Sequence, residues 1–150
     1  MGDLTTAAIG GLRSDDHVRG TGELVVMYAD FSCPRCAVAA LELQASGQRV
    51  AFRHFALRAR HPRAVALGHA AEAAARQDAF WAFHDALFAD QGRIDDPHLW
   101  ARCTALGLDV DRFELDRHSP EVAARVQRDV REGLRAGVTA TPALLSPSVD

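Results

Sequence analysis

The sequence has no long apolar run. Nowhere does it approach the roughly 20 consecutive apolar residues that a helix needs to cross a bilayer, so a spanning helix is excluded and no membrane partner is expected. The opening residues, MGDLTTAAIGGLRSDDHVRG, also lack the basic start and apolar stretch of a secretory leader. As written, the expected location is the cytoplasm, with the cell envelope left open if a leader has been removed. Cysteine is scarce: three residues, an odd number, cannot make a disulfide scaffold, and a chain of this size needs no covalent staple. Charge of one sign is missing too. Twenty acidic and 17 basic residues are spread along the chain to give a net charge of -3, without the basic stripe that tracks phosphates, which excludes nucleic acid as a partner. There is no internal repeat, low-complexity tract or interdomain linker. With 150 residues, 48% hydrophobic and 25% charged, residues 1–150 read as one globular domain.

What is present begins with Leu24 to Phe31, a branched and aromatic run after Gly20-Thr21-Gly22, which predicts a buried strand. From Cys33 to Gln44 the apolar residues recur at helical spacing, and Gly47 stands where such a helix stops. Arg49 to Leu57 then alternates as a second strand, completing a strand-helix-strand unit expected to pair in parallel with a right-handed crossover. A helical block follows. Pro62 opens an Ala-rich helix to about Arg76, Asp78 opens one carrying Phe80, Phe83, Leu87 and Phe88, and Asp96-Pro97 starts one ending near Gly107. Asp109 caps a short helix through Phe113, and Ser119-Pro120 begins a long one with Val122, Val126, Val130 and Leu134. After Gly137-Val138-Thr139-Ala140-Thr141-Pro142, the run Ala143 to Leu145 is the last piece of strand character before Ser146-Pro147-Ser148.

Cys33 and Cys36 are separated by two residues in a first helical turn, which brings their sulfurs close enough to close a disulfide with little backbone movement. A thiol at a helix start faces unsatisfied N–H groups and the positive end of the macrodipole, both of which favour the thiolate. Arg35 adds a permanent cation, and Pro34 presets the helical backbone angle where its missing N–H costs nothing. Cys36, one turn further in, is expected to be the more buried. The pattern predicts that Cys33 attacks and Cys36 resolves the mixed disulfide. Half a zinc site is the competing reading of such a pair, but no second CxxC or histidine pair stands at finger spacing, so no metal is expected. No cofactor beyond the Cys33-Cys36 disulfide is called for.

Five segments together resemble the DsbA-like branch of the thioredoxin superfamily. They are Asp30-Phe31-Ser32-Cys33-Pro34-Arg35-Cys36; Arg53-His54-Phe55-Ala56-Leu57 with His61-Pro62; Phe80-Trp81-Ala82-Phe83-His84-Asp85-Ala86-Leu87-Phe88; Gly107-Leu108-Asp109; and Gly137 to Pro142. The resemblance runs from about Asp16 to Pro142. It implies an α/β thioredoxin fold, with a core at about 20–60 and 137–150 and a helical insertion at about 62–136 laid over the active site. It implies Cys33 as an exposed nucleophile, Cys36 as its resolving partner, and a cis Thr141-Pro142 bond facing the pair, where the Thr141 backbone binds an extended substrate segment. The implied activity is disulfide exchange with protein or peptide thiols and disulfides, with a redox partner that recycles the pair.

Three departures from the family pattern stand out. The buried acid that the family often carries six residues before the nucleophile is Met27 here, and a methionine cannot carry a proton. The family's His-Phe-Pro-Leu is His54-Phe55-Ala56-Leu57. The chain reaches Asp150 without the further strand and helix that the family usually adds. Either residues 22–31 and the tail then rearrange, or an exposed edge pairs with another copy of the chain, which makes a homodimer one expected arrangement. Two other functions remain open on the sequence: a redox-sensing or binding module without turnover, and a glutathione-dependent transferase or isomerase of the kappa-like branch, which Cys33 disfavours because that branch usually has serine first. Cys103, His54, His84, Phe80 and Trp81 read as core residues, and Asp30 as a charge close enough to oppose Arg35 at Cys33.

Overall fold

In a computed structural model, residues 11–147 are described. The two tails, with the expectations placed on the first ten residues and on 148–150, lie outside them.

Four strands among the described residues make one sheet: β1 (His17–Arg19), β2 (Thr21–Ala29), β3 (Gln48–His54) and β4 (Ala143–Leu145), in the order β1-β3-β2-β4. The expected unit is present. β2 pairs with β3 in parallel, from Leu24 opposite Arg49 to Ala29 opposite His54, and α1 (Pro34–Ser46) makes the crossover. β1, which the sequence did not reveal, pairs antiparallel with β3, with Val18 opposite Ala51. Three residues are too few to show a period, and their face is half polar. On the other side β4 runs antiparallel to β2, with Met27 opposite Leu144.

Strand alternation divides the core. Met27, Ala29 and Phe52 turn to one face, where they meet Cys36 and Ala40 of α1 and the buried rings and leucines of the helical block. Val26, Tyr28, Ala51 and Phe55 face the other layer, built from Ala136, Val138 and the half-buried Val130. The helices between the strands are α2 (Ala64–Ala75), α3 (Phe80–Ala89), α4 (Asp96–Ala105), α5 (Val110–Arg117) and α6 (Pro120–Arg135).

Several helix starts follow the capping logic of the sequence. The Asp109 side chain accepts from the N–H of Arg112 at 3.0 Å, and the Ser119 hydroxyl accepts from the N–H of Val122 at 3.3 Å. α5 continues past Phe113 to Arg117, whose guanidinium is held by Glu114 and Asp96. Two starts differ from expectation. α2 begins at Ala64 rather than Pro62, and α3 begins at Phe80 because Asp78 has φ 58, a left-handed turn conformation that ends one helix without opening the next.

Candidate active site

Phe31, buried among Phe52, Phe88 and His84, anchors the chain as it leaves β2, so that Ser32 and Cys33 emerge at the strand's C-terminal end. Cys33 is the N-cap of α1, in an extended backbone conformation (φ -85, ψ 119), and Pro34 occupies the first turn. The N–H of Cys36 points at Cys33 Sγ at 3.4 Å, while Cys33 Sγ lies 3.8 Å from the Thr141 carbonyl oxygen. The Thr141-Pro142 peptide is cis. The structure therefore brings Cys33, Cys36, Thr141 and Pro142 together, with Pro34 and Arg35 exposed on the rim of the same turn.

Both cysteines are free thiols, and both are buried: Cys33 is 5% exposed and Cys36 is 0% exposed. The expectation of an exposed Cys33 is corrected here, because the Thr141 segment and the first turn of α1 cover most of its sulfur. Burial pushes the Cys36 thiol up to about 12. The backbone N–H of Asp30 works against that rise, and neighbouring Cys33 adds to it.

Gln91, which the sequence did not mark, and His61, quoted only within a family segment, hold this turn. Gln91, just past α3, donates through Nε2 to the carbonyls of Phe31 and Cys33, at 2.9 Å each. His61 Nδ1 lies 2.5 Å from Asp30 Oδ2, while Asp30 Oδ1 accepts from the N–H of Ser32 at 2.8 Å. Asp30 is thus 3% exposed, folded into the loop and engaged by His61. A lone Gln or His after a loop has no spacing that betrays such a contact; only the DFSC stretch hinted that Asp30 belonged to the site.

Among the described residues, the other candidates make no hydrogen bond to either sulfur. His54 Nε2 is 2.8 Å from Glu72 Oε2, and His84 Nδ1 is 2.8 Å from Asp85 Oδ1, both inside aromatic packing. Burial lowers the pKa of His84 below its ordinary value, although Asp85 pulls the other way. Phe80 is buried against Phe52, and Trp81 is half-buried beneath the Arg19 guanidinium, 4.3 Å from the ring centre. Cys103 is fully buried, and burial raises its thiol to about 11. Met27, also buried, lines a cavity of about 140 Å³ with Leu43, Phe52 and Trp81 and the polar Arg19, Gln44 and His84. Among the described residues no group of three or more His, Cys, Asp or Glu is arranged to hold a metal ion, and no helix is long and apolar enough to cross a membrane.

Against known families, residues 52–146 match the profile of the DSBA-like thioredoxin domain. The chain belongs to the DsbA-like thioredoxin family. The matched stretch holds the end of β3, the helices α2–α6, the cis-proline segment and β4, and the cysteine pair lies ahead of it. Among solved structures, a thioredoxin-like oxidoreductase from Silicibacter pomeroyi is 25% identical, with TM-score 0.78, covering 90% of this chain and 84% of its own. Pseudomonas aeruginosa DsbA2 is 26% identical, with TM-score 0.69, over 89% of this chain and 80% of that one. The DsbA-like fold expected from the sequence is the fold observed. DsbA-like proteins use no cofactor beyond their redox-active disulfide. Among curated proteins, the Na(+)/H(+) antiporter NhaA 3 of Salinispora tropica is 40% identical over 135 residues, which is 85% of this chain. The chain spans about a fifth of the length of the curated relatives it matches, 21% in that case.

Family membership overturns the cytoplasmic expectation, because DsbA-like homologues are periplasmic or envelope proteins. That expectation rested on the polar opening residues 1–20, the first ten of which lie outside the described structure. A compartment where glutathione and thioredoxin do not hold thiols reduced is also the one in which such a pair persists as a disulfide.

Proposed function

We propose that the protein exchanges disulfides with protein or peptide substrates through Cys33 and Cys36. The observation that carries this reading is the placement of Cys33 Sγ at the N-cap of α1, 3.4 Å from the Cys36 N–H and 3.8 Å from the Thr141 carbonyl. The N–H groups of the first turn stabilise negative charge on Cys33 Sγ. In the reductive direction the Cys33 thiolate attacks one sulfur of a substrate disulfide, forms a mixed disulfide and expels the other sulfur as a thiolate. The Cys36 thiolate then attacks Cys33 Sγ, releasing the second substrate thiolate and closing the Cys33-Cys36 disulfide. Two electrons pass to the substrate; the reverse sequence oxidises a substrate dithiol. Pro34 and Arg35 tune the pair, and the Thr141-Pro142 backbone receives an extended substrate segment. A redox partner returns the pair to its starting state.

Replacing Cys33 by Ser is expected to abolish exchange with a peptide disulfide, whereas Cys36→Ser should accumulate the mixed disulfide, visible as a mass adduct. Undiminished exchange by Cys33→Ser would overturn the proposal.

A second reading is favoured by the curated relatives, which bear the name of an Na(+)/H(+) antiporter and match this chain over only about a fifth of their length. In it the pair is a redox sensor that switches the state of a transport protein without turnover. Multiple turnovers with peptide disulfides and an external dithiol separate the first reading from the second.

A further inference from the structure

All 17 basic residues outside the histidines are arginine. Ten of them make ion pairs among the described residues, and Arg35, Arg58 and Arg60 are among the seven that make none. These three are exposed. Arg35 stands between the two cysteines. Arg58 and Arg60 sit on the loop after β3, which is tied to both sides of the site by consecutive residues: the Arg60 guanidinium donates to the Thr139 carbonyl at 2.6 Å, and His61 engages Asp30. Thr139 is two residues ahead of the Thr141 carbonyl that faces Cys33.

Carboxylates of the site loop and of the α3–α4 connection are already engaged. Asp30 is turned inward on His61 and the Ser32 N–H, Asp90 faces Arg93 at 3.7 Å, Asp95 faces His98 at 2.7 Å, and Asp96 faces Arg63 at 2.9 Å. A protein whose net charge is -3 thus presents unneutralised guanidinium groups beside its redox pair. Arginine binds carboxylates through paired N–H donors in a fixed fork, and one bond to Thr139 leaves most of the Arg60 donors unused.

Resting on the exchange function proposed above, we propose that Arg35, Arg58 and Arg60 select acidic protein segments, with Asp or Glu flanking the cysteine that exchanges with Cys33. The charges act on encounter and on register: they raise the local concentration of an anionic segment and hold it along the Thr141 backbone.

The test measures second-order exchange rates of the full chain with three peptide disulfides that differ only in acidic, neutral or basic flanking residues. Glutathione disulfide serves as a small anionic probe. At low salt the acidic peptide should react about tenfold faster than the basic one, and the gap should close at about 1 M salt, where screening acts within about 3 Å. Arg58→Gln with Arg60→Gln should cut the acidic-to-neutral ratio at least threefold, while Arg131→Gln, an exposed arginine on α6 without an ion pair, should leave that ratio unchanged. Equal rates for the three peptides at low salt overturn the selectivity while leaving the exchange function standing. Fast glutathione disulfide with indistinguishable peptides overturns the assignment to protein segments. Failure to react with any of the four disulfides removes the exchange function itself, and this inference with it.

Discussion

Cys36 must lose a proton before it can attack, and its surroundings hold that proton tightly. The thiol is fully buried and raised to about 12 by burial, and Met27 stands where an acid would accept the proton and has no group that can take one. Below its pKa, the thiolate fraction of such a group grows about tenfold with each pH unit. Resolution of a mixed disulfide at Cys33 should therefore quicken steeply between pH 6 and pH 9, without a plateau. Stopped-flow rates that level off near neutrality would show that another group takes the proton. The pair and its place at a helix start were legible in the sequence, because both depend on chain neighbours, and Met27 stood out against the family resemblance. Gln91 and the His61-Asp30 contact were not legible: they close over 58 and 31 residues, and no spacing rule links such partners.

At the scale of elements, α6 reaches the sheet at a glycine. A Cβ on Gly133 would lie 2.9 Å from Phe55 Cδ1 and 3.0 Å from the Tyr28 ring, both buried on the face that α6 covers. Gly133→Ala gains up to about 1 kcal/mol of helix propensity, while overpacking a filled core costs about 1–3 kcal/mol. The rings are large and held in place, so the clash should prevail and the denaturant midpoint should fall. A rise in that midpoint would mean that α6 shifts outward freely. Periodicity had placed α6 and its capping Ser119 correctly, since a helix start is written in consecutive residues. It gave no sign that Gly133 was a contact point, and a residue with no side chain leaves no mark on a hydrophobic pattern. β1 escaped for a related reason: three half-polar residues become a strand only because β3 offers them an open edge.

Across the whole molecule, sheet and helices are joined by buried charge as well as by apolar packing. Glu72 of α2 accepts from His17 of β1 at 2.9 Å and from His54 of β3 at 2.8 Å, and it meets Arg125 of α6 at 3.1 Å. Burial alone would raise its pKa, but the two histidine hydrogen bonds hold it well below the ordinary 4.5. A carboxylate depressed on folding contributes stability that is complete above its unfolded value and is lost as pH falls through the folded one. Stability should thus decline as pH drops below about 4.5. Glu72→Gln should cost on the order of 2 kcal/mol at pH 7 and flatten that decline. An unchanged acid slope in urea titrations of the variant would assign the loss to other carboxylates.

β1 and the residues before it also bear on where a working boundary for this domain can be drawn. Arg13 reaches Asp129 and Glu132, Asp16 holds Arg53, His17 stacks on Phe80 with ring centres 3.7 Å apart and touches Glu72, and Arg19 grips Asp85. These few residues act as a clasp across four separate segments. A recombinant fragment trimmed to start at residue 20 would keep every strand and helix of the redox site. It would also strip buried Arg53 of its Asp16 counterion, a defect of several kcal/mol for an uncompensated buried charge, and leave buried Asp129 with Arg128 at 3.4 Å in place of the Arg13 contact at 2.9 Å. Any fusion or transplant of this domain should carry its graft point ahead of Arg13.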